Sequence, residues 1–372
     1  MGIKKIFISA GDSSGDIHAA RLMKHIKELA QDVEFIGLGG SEMLAEGLQS
    51  LVPLSSISVV GFWEVFKRFG FFKELLARCE KILSEDVAAF IPVDYPGFNL
   101  RLAQKAKRLG IPVAYYIAPQ LWAWGKRRAQ KLAHSVDFLI VVFPFEVDFF
   151  KQFGIDAYYT GHPIMDQPVF NETPKSFVER SKTIAFFPGS RRQEIERHLP
   201  LLESVRLVLE KKLEGFDYAI AKSPLIEHDE YSGLLKGCSN WIIEENRFKL
   251  LGSSRAGLIK TGTSNLEATL MGLPYAMFYK TSAITYFLGK RLINLDFLSI
   301  TNILNKRAVI KEFIQNDADP KAIADELAEM ATNSVYWNAI HSNLITIKNI
   351  LGGMGASKRA AGYIVEKLNL AQ

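Results

Sequence analysis

Residues 183–195 read TIAFFPGSRRQEI: an apolar run, a Pro-Gly-Ser turn, two arginines and the opening of a helical pattern. A buried strand that enters a helix through such a turn points backbone N–H groups and the positive end of the helix dipole outward, which suits a phosphate. Ser190 with Gln193 three residues on also reads as a capping box, so this junction alone leaves anion binding and simple capping open. Residues 256–274, AGLIKTGTSNLEATLMGLP, repeat the pattern, passing from a short apolar strand through Thr261-Gly262-Thr263 into an amphipathic helix. Two anion-ready helix starts in one half of a chain point to a nucleotide diphosphate.

Working outward, short apolar runs alternate with helical patterns along most of the sequence. Strands are expected at 5–10, 33–38, 87–92, 112–117 and 138–142, and again at 183–187, 216–221, 257–260 and 275–278. Such alternation predicts α/β units with parallel sheets covered by helices on both faces. Residues 160–182, with His162-Pro163, Pro168 and the polar run NETPKSFVERSK, interrupt the rhythm and read as a linker between two doubly wound domains. The expected division is 1–165, 183–340 and a helical tail at 341–372, with the final helix at 356–368 packing back toward the first domain.

At 372 residues the chain exceeds the usual size of one core, and 48% hydrophobic against 23% charged residues excludes a disordered composition. The net charge of +5 permits acidic ligands or an anionic membrane surface, but the sequence lacks the basic blocks of a dedicated nucleic-acid binder. Cys79 and Cys238 stand alone, without CxxC or metal-ligand spacing, which fits a reducing cytoplasm. No run approaches the roughly 20 apolar residues of a membrane span. The start, MGIKKIFISAGD, has too short an apolar run for a signal peptide.

Ligands of open parallel sheets bind beyond the carboxyl ends of the strands. That rule selects AGDSSGD (10–16), Gly39-Gly40, DYPGFN (94–99) and APQLWAW (118–124) in the first half, and PGSRR and KTGTSN in the second. AGDSSGD lacks the GxGxxG pattern, so a nicotinamide cofactor has little support, and by itself it reads as a capped helix start. Asp94 follows the apolar run AAFIPV and would face a cleft, although Asp before Tyr-Pro-Gly is also ordinary turn chemistry. Glu267 with Ser264 reads equally as a capping box. The histidines show no paired ligand spacing, and Asp319 before Pro320 reads as an N-cap with proline at the first helical position. No metal site and no cofactor are expected.

In their order along the chain, AGDSSGD, SVVGFWEV, VDYPGFN, APQLWAW, FPFE, GHP, PGSRRQEI, TGTSNLEATLMGLP and SITNILNKRAVIKEF resemble the lipid-A-disaccharide synthases. The resemblance spans nearly the whole chain and implies two facing Rossmann-like domains, the GT-B architecture. It implies an inverting, metal-independent transfer of 2,3-diacylglucosamine from its UDP carrier to the 6-hydroxyl of 2,3-diacylglucosamine 1-phosphate, releasing UDP. Asp94 matches the general base, Asp12 faces the cleft from the first domain, and Arg191 and Ser190 stabilise the leaving phosphate. Glu267 matches the acid that holds ribose hydroxyls, Thr263 and Ser264 lie near the phosphates, and Asn302 is a further nucleotide contact. Two positions depart from the family pattern: Asp12 stands where Glu is common, and Gly97 replaces a frequent second acid. Another UDP-sugar transferase, a UDP-sugar 2-epimerase and a non-catalytic lipid or nucleotide sensor are the alternatives.

Acylated substrates imply a peripheral enzyme on the cytoplasmic face of the inner membrane; the oligomeric state, a homodimer included, stays open. Phe62, Trp63, Phe66 and Phe69 follow helical spacing beside Lys67 and Arg68, Gly70 reads as a helix break, and Phe72 extends the apolar surface. This stripe is either core or an interfacial helix that lies on anionic lipid and admits acyl chains.

Overall fold

The computed structural model describes residues 3–58, 68–235, 241–281, 286–287 and 295–371. Two compact units divide the chain: Met1–Gln167 together with Leu351–Gln372, and Pro168–Ile350.

In the first unit the strands are β1 (Lys4–Ser9), β2 (Val33–Leu38), β3 (Leu48–Ser50), β4 (Val87–Pro92), β5 (Ala114–Tyr116), β6 (Phe138–Val141) and β7 (Ala157–Tyr159). Their orders β3-β2-β1-β4 and β5-β6-β7 are joined through the parallel bridges Phe90↔Val113 and Val93↔Tyr116. Successive strand residues face opposite sides of the sheet, and here both sides are covered. Phe7, Phe90, Tyr115 and Leu139 enter one core with Phe98 and Leu102. Ile6, Ile8, Ile91 and Ile140 enter another with Met23 and Ile364. That is why these strands read as continuous apolar runs rather than as alternating ones.

Ile364 belongs to the helix Ala356–Lys367, which packs against the helix Ser13–Leu29 within this unit. Small residues at the contact, Ala19, Ala20, Ala360 and Ala361, let the two backbones approach closely. The start of the C-terminal helix is fixed by Asp166, whose carboxylate accepts the N–H groups of Gly355, Ala356 and Ser357 at 2.7, 2.9 and 2.9 Å. An acid on those unpaired donors also opposes the positive helix end. The tail expected from 341 onward is therefore divided. The helix Ser334–Ile350 belongs to the second unit, and only Leu351–Gln372 joins the first.

The second unit contains β8 (Ser181–Phe187), β9 (Asp217–Ala221), β10 (Ile242–Glu244), β11 (Ser254–Lys260), β12 (Tyr275–Tyr279) and β13 (Glu312–Ile314). They pair in parallel in the order β10-β9-β8-β11-β12-β13. Arg180, buried immediately before β8, donates to the carbonyls of Lys175, Leu251, Ser254 and Met271. Desolvating a guanidinium is costly unless its N–H groups are paired, and these four bonds fasten the entry of the chain to its sheet.

Each unit is thus a doubly wound α/β domain, and the C-terminal helix packs on the N-terminal domain, as the sequence led us to expect. Asp319 caps the helix Pro320–Thr332 through Ala322 N–H at 2.9 Å, with Pro320 in its first turn.

Candidate active site

Strand order reverses beside the first strand of each unit, between β1 and β4 and between β8 and β11. The chain leaves these neighbours in opposite lateral directions, which opens a crevice at their carboxyl ends where ligands of such folds bind. Asp12 and Asp94 follow β1 and β4, while Ser190 and Arg191 follow β8, and Thr263 follows β11.

Asp94 lies just past β4 with φ +44°, and Tyr95 follows at φ +50°. Two successive non-glycine residues in the left-handed region are strained, so their surroundings must hold them. The Asp94 carbonyl accepts from Asn99 Nδ2 at 2.8 Å and from the Tyr115 hydroxyl at 2.7 Å, and its N–H donates to Tyr116 O at 3.1 Å. Asn99, fully buried, also accepts from Ser9 Oγ at 2.7 Å and donates to Ser9 O at 3.0 Å, tying the ends of β1 and β4 together. The Tyr95 ring lies over Gly11, where a Cβ would come within 2.2 Å of it. Asp12 caps the helix Ser13–Leu29 by accepting Gly15 N–H at 2.7 Å. Burial first, and the Asp12 carboxylate second, push the Asp94 carboxyl up to about 6, against a hydrogen bond from the Tyr95 backbone. A carboxylate poised near neutrality suits a general base. Gly97 is exposed with open space above it, so the missing second acid is not excluded by crowding.

In the second unit, Gly189 turns the chain at φ +120° and Arg191 is the N-cap residue of the helix Arg192–Glu210. Ser190 does not cap that helix. Its N–H donates to Glu194 Oε2 at 3.2 Å, and its carbonyl accepts from Ser223 Oγ at 2.5 Å. His198 reaches the carbonyls of Pro188 at 2.6 Å and Lys280 at 3.0 Å, bracing the same loop from below. The Arg191 side chain is half exposed and rests on Glu194 at 3.3 Å.

Thr263 and Ser264 open the helix Thr263–Leu270, whose N-cap is Gly262 at φ +146° with no side-chain cap. The expected Ser264–Glu267 capping box is therefore absent. Because Gly262 takes the cap position, Glu267 sits a turn inside the helix, 5% exposed, with Oε1 at 3.2 Å from Arg247. Burial outweighs that ion pair and holds the Glu267 carboxyl above its usual range.

The expectation for Asn302 requires correction. Its amide donates to Ile310 O at 3.0 Å and Glu312 Oε1 at 2.8 Å, and its oxygen accepts Val309 N at 2.8 Å and Ile310 N at 3.0 Å. An amide side chain offers two donors and two lone pairs, so this fully buried residue has no capacity left for a nucleotide. It pins the turn before β13 instead.

Of the aromatic stripe, Phe62, Trp63 and Phe66 lie outside the described residues. Gly70 does not break a helix but falls in the first turn of the helix Phe69–Leu83. Phe69 is 59% exposed, whereas Phe72 is half-buried against Phe71 and Phe98, with ring centroids at 5.5 and 6.4 Å. Phe72 is thus the edge of the core rather than an outward residue.

Sequence reading passed over Asn99, Tyr115, Ser223, Glu194 and Lys260. Asn99 closes the same DYPGFN loop as Asp94, so its nearness was there to be read, whereas Tyr115 carried no signal, since only the fold brings it to Asp94. Lys260 did carry one, as a lysine ending a strand before the Thr-Gly-Thr turn. Among the described residues no group of His, Cys, Asp or Glu could hold a metal ion.

A sequence profile described as lipid-A-disaccharide synthetase matches residues 6–361. The lipid-A-disaccharide synthase of Trichlorobacter lovleyi is 36% identical over 372 residues, covering 97% of both chains. Among solved structures, UDP-GlcNAc 2-epimerase from Neisseria meningitidis bound to UDP-GlcNAc superimposes with a TM-score of 0.59 at 12% identity, over 99% of this chain and 100% of that one. CalG4, the calicheamicin glycosyltransferase, gives 0.62 at 12% identity over 99% of each chain. Both structural likenesses concern the fold, which is the GT-B architecture. The chain belongs to the lipid-A-disaccharide synthase family.

Proposed function

We propose that this protein is a lipid-A-disaccharide synthase, transferring 2,3-diacylglucosamine from UDP to the 6-hydroxyl of 2,3-diacylglucosamine 1-phosphate. The observation that carries this reading at the level of residues is Asp94, a strained carboxylate at the switch point of the first unit with its carboxyl pushed up to about 6. It takes the proton of the acceptor hydroxyl as that oxygen attacks C1 of the donor sugar. The bond from C1 to the β-phosphate oxygen breaks, its electron pair stays on UDP, and C1 is inverted. Ser190, Arg191 and the helix start behind them receive the new charge on the diphosphate. Donors fixed before the reaction stabilise such charge without reorganising. Thr263 and Ser264 flank the same group, and Glu267 holds the ribose hydroxyls.

Acylated substrates reside in a bilayer, and no helix among the described residues is long and apolar enough to cross one. The exposed Phe69 at the head of an amphipathic helix supports docking on the inner-membrane surface, with acyl chains received there.

The test is UDP release by the full chain, in the presence of chelator, with the diacylated donor and acceptor against UDP-GlcNAc alone. Release only with the acylated pair supports the reading. Conversion of UDP-GlcNAc to its 2-epimer without transfer favours the epimerase alternative, and a strict need for added divalent metal overturns the metal-free mechanism.

A further inference from the structure

We propose that Lys260 is a further ligand of the nucleotide diphosphate, held over the binding loops by Glu194 until the nucleotide arrives. This inference rests on the reading that the second unit binds UDP at its switch point. Lys260 is the last residue of β11 and Glu194 lies in the first turn of the helix after β8, so their pairing joins the two loops that flank the crevice. Glu194 Oε1 accepts from Lys260 Nζ at 3.0 Å and from Arg191 Nη1 at 3.3 Å, while Oε2 accepts from Ser190 N–H at 3.2 Å. One carboxylate thus gathers two cations and a backbone donor from both loops. That is the donor set a phosphate group takes at a helix start.

The seat is built around this carboxylate. A Cβ on Gly189 would stand 2.6 Å from Glu194 Oε2, so glycine at this left-handed position also makes the approach possible. The Lys260 and Glu194 side chains are 21% and 20% exposed, open enough for Lys260 to exchange one anionic partner for another. Arg191 and Lys260 against Glu194 leave one net positive charge before the diphosphate enters. A purely structural ion pair is the competing account, and partly exposed pairs of that kind contribute little.

Calorimetric titration of the full chain with UDP and with uridine separates the two. For Lys260→Met, the affinity for UDP should fall about tenfold to a hundredfold, the range of one charge-assisted hydrogen bond, while uridine binds as before. Lys260→Arg should recover part of the loss. Lys260→Gln, which keeps a donor for Glu194 without the charge, should lose UDP affinity as Lys260→Met does, and it serves if Lys260→Met fails to fold. Wild-type UDP affinity in both neutral variants would make Lys260 a structural residue and sink the inference while leaving the functional reading intact. Absence of UDP binding by the wild-type chain would instead overturn the functional reading on which the inference stands.

Discussion

Replacing Asp94 by Asn should damage catalysis and strengthen the fold in the same molecule. The Asp94 carboxyl sits at about 6 against an ordinary value of 3.8. At about 1.4 kcal/mol per pKa unit, ionising it in the folded chain costs about 3 kcal/mol more than in the unfolded chain. The substituted asparagine carries no charge to desolvate or to set against Asp12, and this residue type tolerates the left-handed backbone well. The sign follows from the raised folded value. The mutant's advantage is complete above pH 7, declines as pH falls through about 6, and vanishes below about 4, where both states of the wild type are protonated. Urea unfolding at pH 7.5 should therefore show Asp94→Asn more stable by about 1–3 kcal/mol, the upper figure being a ceiling because Asp94 is partly exposed. Turnover should drop by roughly two to four orders of magnitude. A mutant less stable than the wild type at pH 7.5, or an advantage that persists unchanged at pH 4, would refute the claim that burial and Asp12 raise this carboxyl.

Asp12→Asn keeps the helix cap, so stability should hold, while the acid limb of kcat/KM near pH 6 should move to lower pH; an unmoved limb would remove Asp12 as a source of the shift. Asn302→Ala leaves the backbone N–H groups of Val309 and Ile310 without partners and should lower unfolding stability by at least about 2 kcal/mol, with little change in UDP affinity where the chain is folded. Phe69→Ser should weaken binding to anionic liposomes without loss of stability, whereas Phe72→Ser should lose about 1–3 kcal/mol by denaturation. Equal stability losses in both would assign Phe69 to the core and end the docking argument.

Every interior strand was legible in the sequence, because strands covered on both faces appear as apolar runs that need no partner to be recognised. The strands β3, β7, β10 and β13 were not, and all of them are sheet edges three residues long. Length alone does not explain this, since the interior strand β5 is also three residues long but lies within the longer apolar run 112–117; an edge strand need not be apolar on both faces and so leaves no such run. The same limit applies to the site. Asp12, Asp94, Ser190, Arg191 and Thr263 stand at strand ends that can be counted off the sequence, so their placement at switch points was accessible. Asn302 and Glu267 misled for opposite reasons. A polar residue in a recognisable segment invited a ligand role that its internal bonds had already filled, and a serine-to-glutamate spacing imitated a cap that glycine had taken. Tyr115 reaches Asp94 only through tertiary contact, which no local spacing announces, while Asn99 lies five residues on in the same DYPGFN segment, where its nearness was legible and its role was passed over.

The Asp166-capped helix Ala356–Lys367 completes the core of the first unit with residues that the ribosome adds after it has finished the second. Domains ordinarily fold in the order of their synthesis. In this chain that order is inverted in part: Pro168–Ile350 is contiguous and free to fold on its own, while the unit that begins the chain waits with the face of the helix Ser13–Leu29 uncovered. A premature stop near residue 350 would therefore spare the second unit and leave the first unfinished, exposing the alanine-lined face of Ser13–Leu29 to chaperones and proteases.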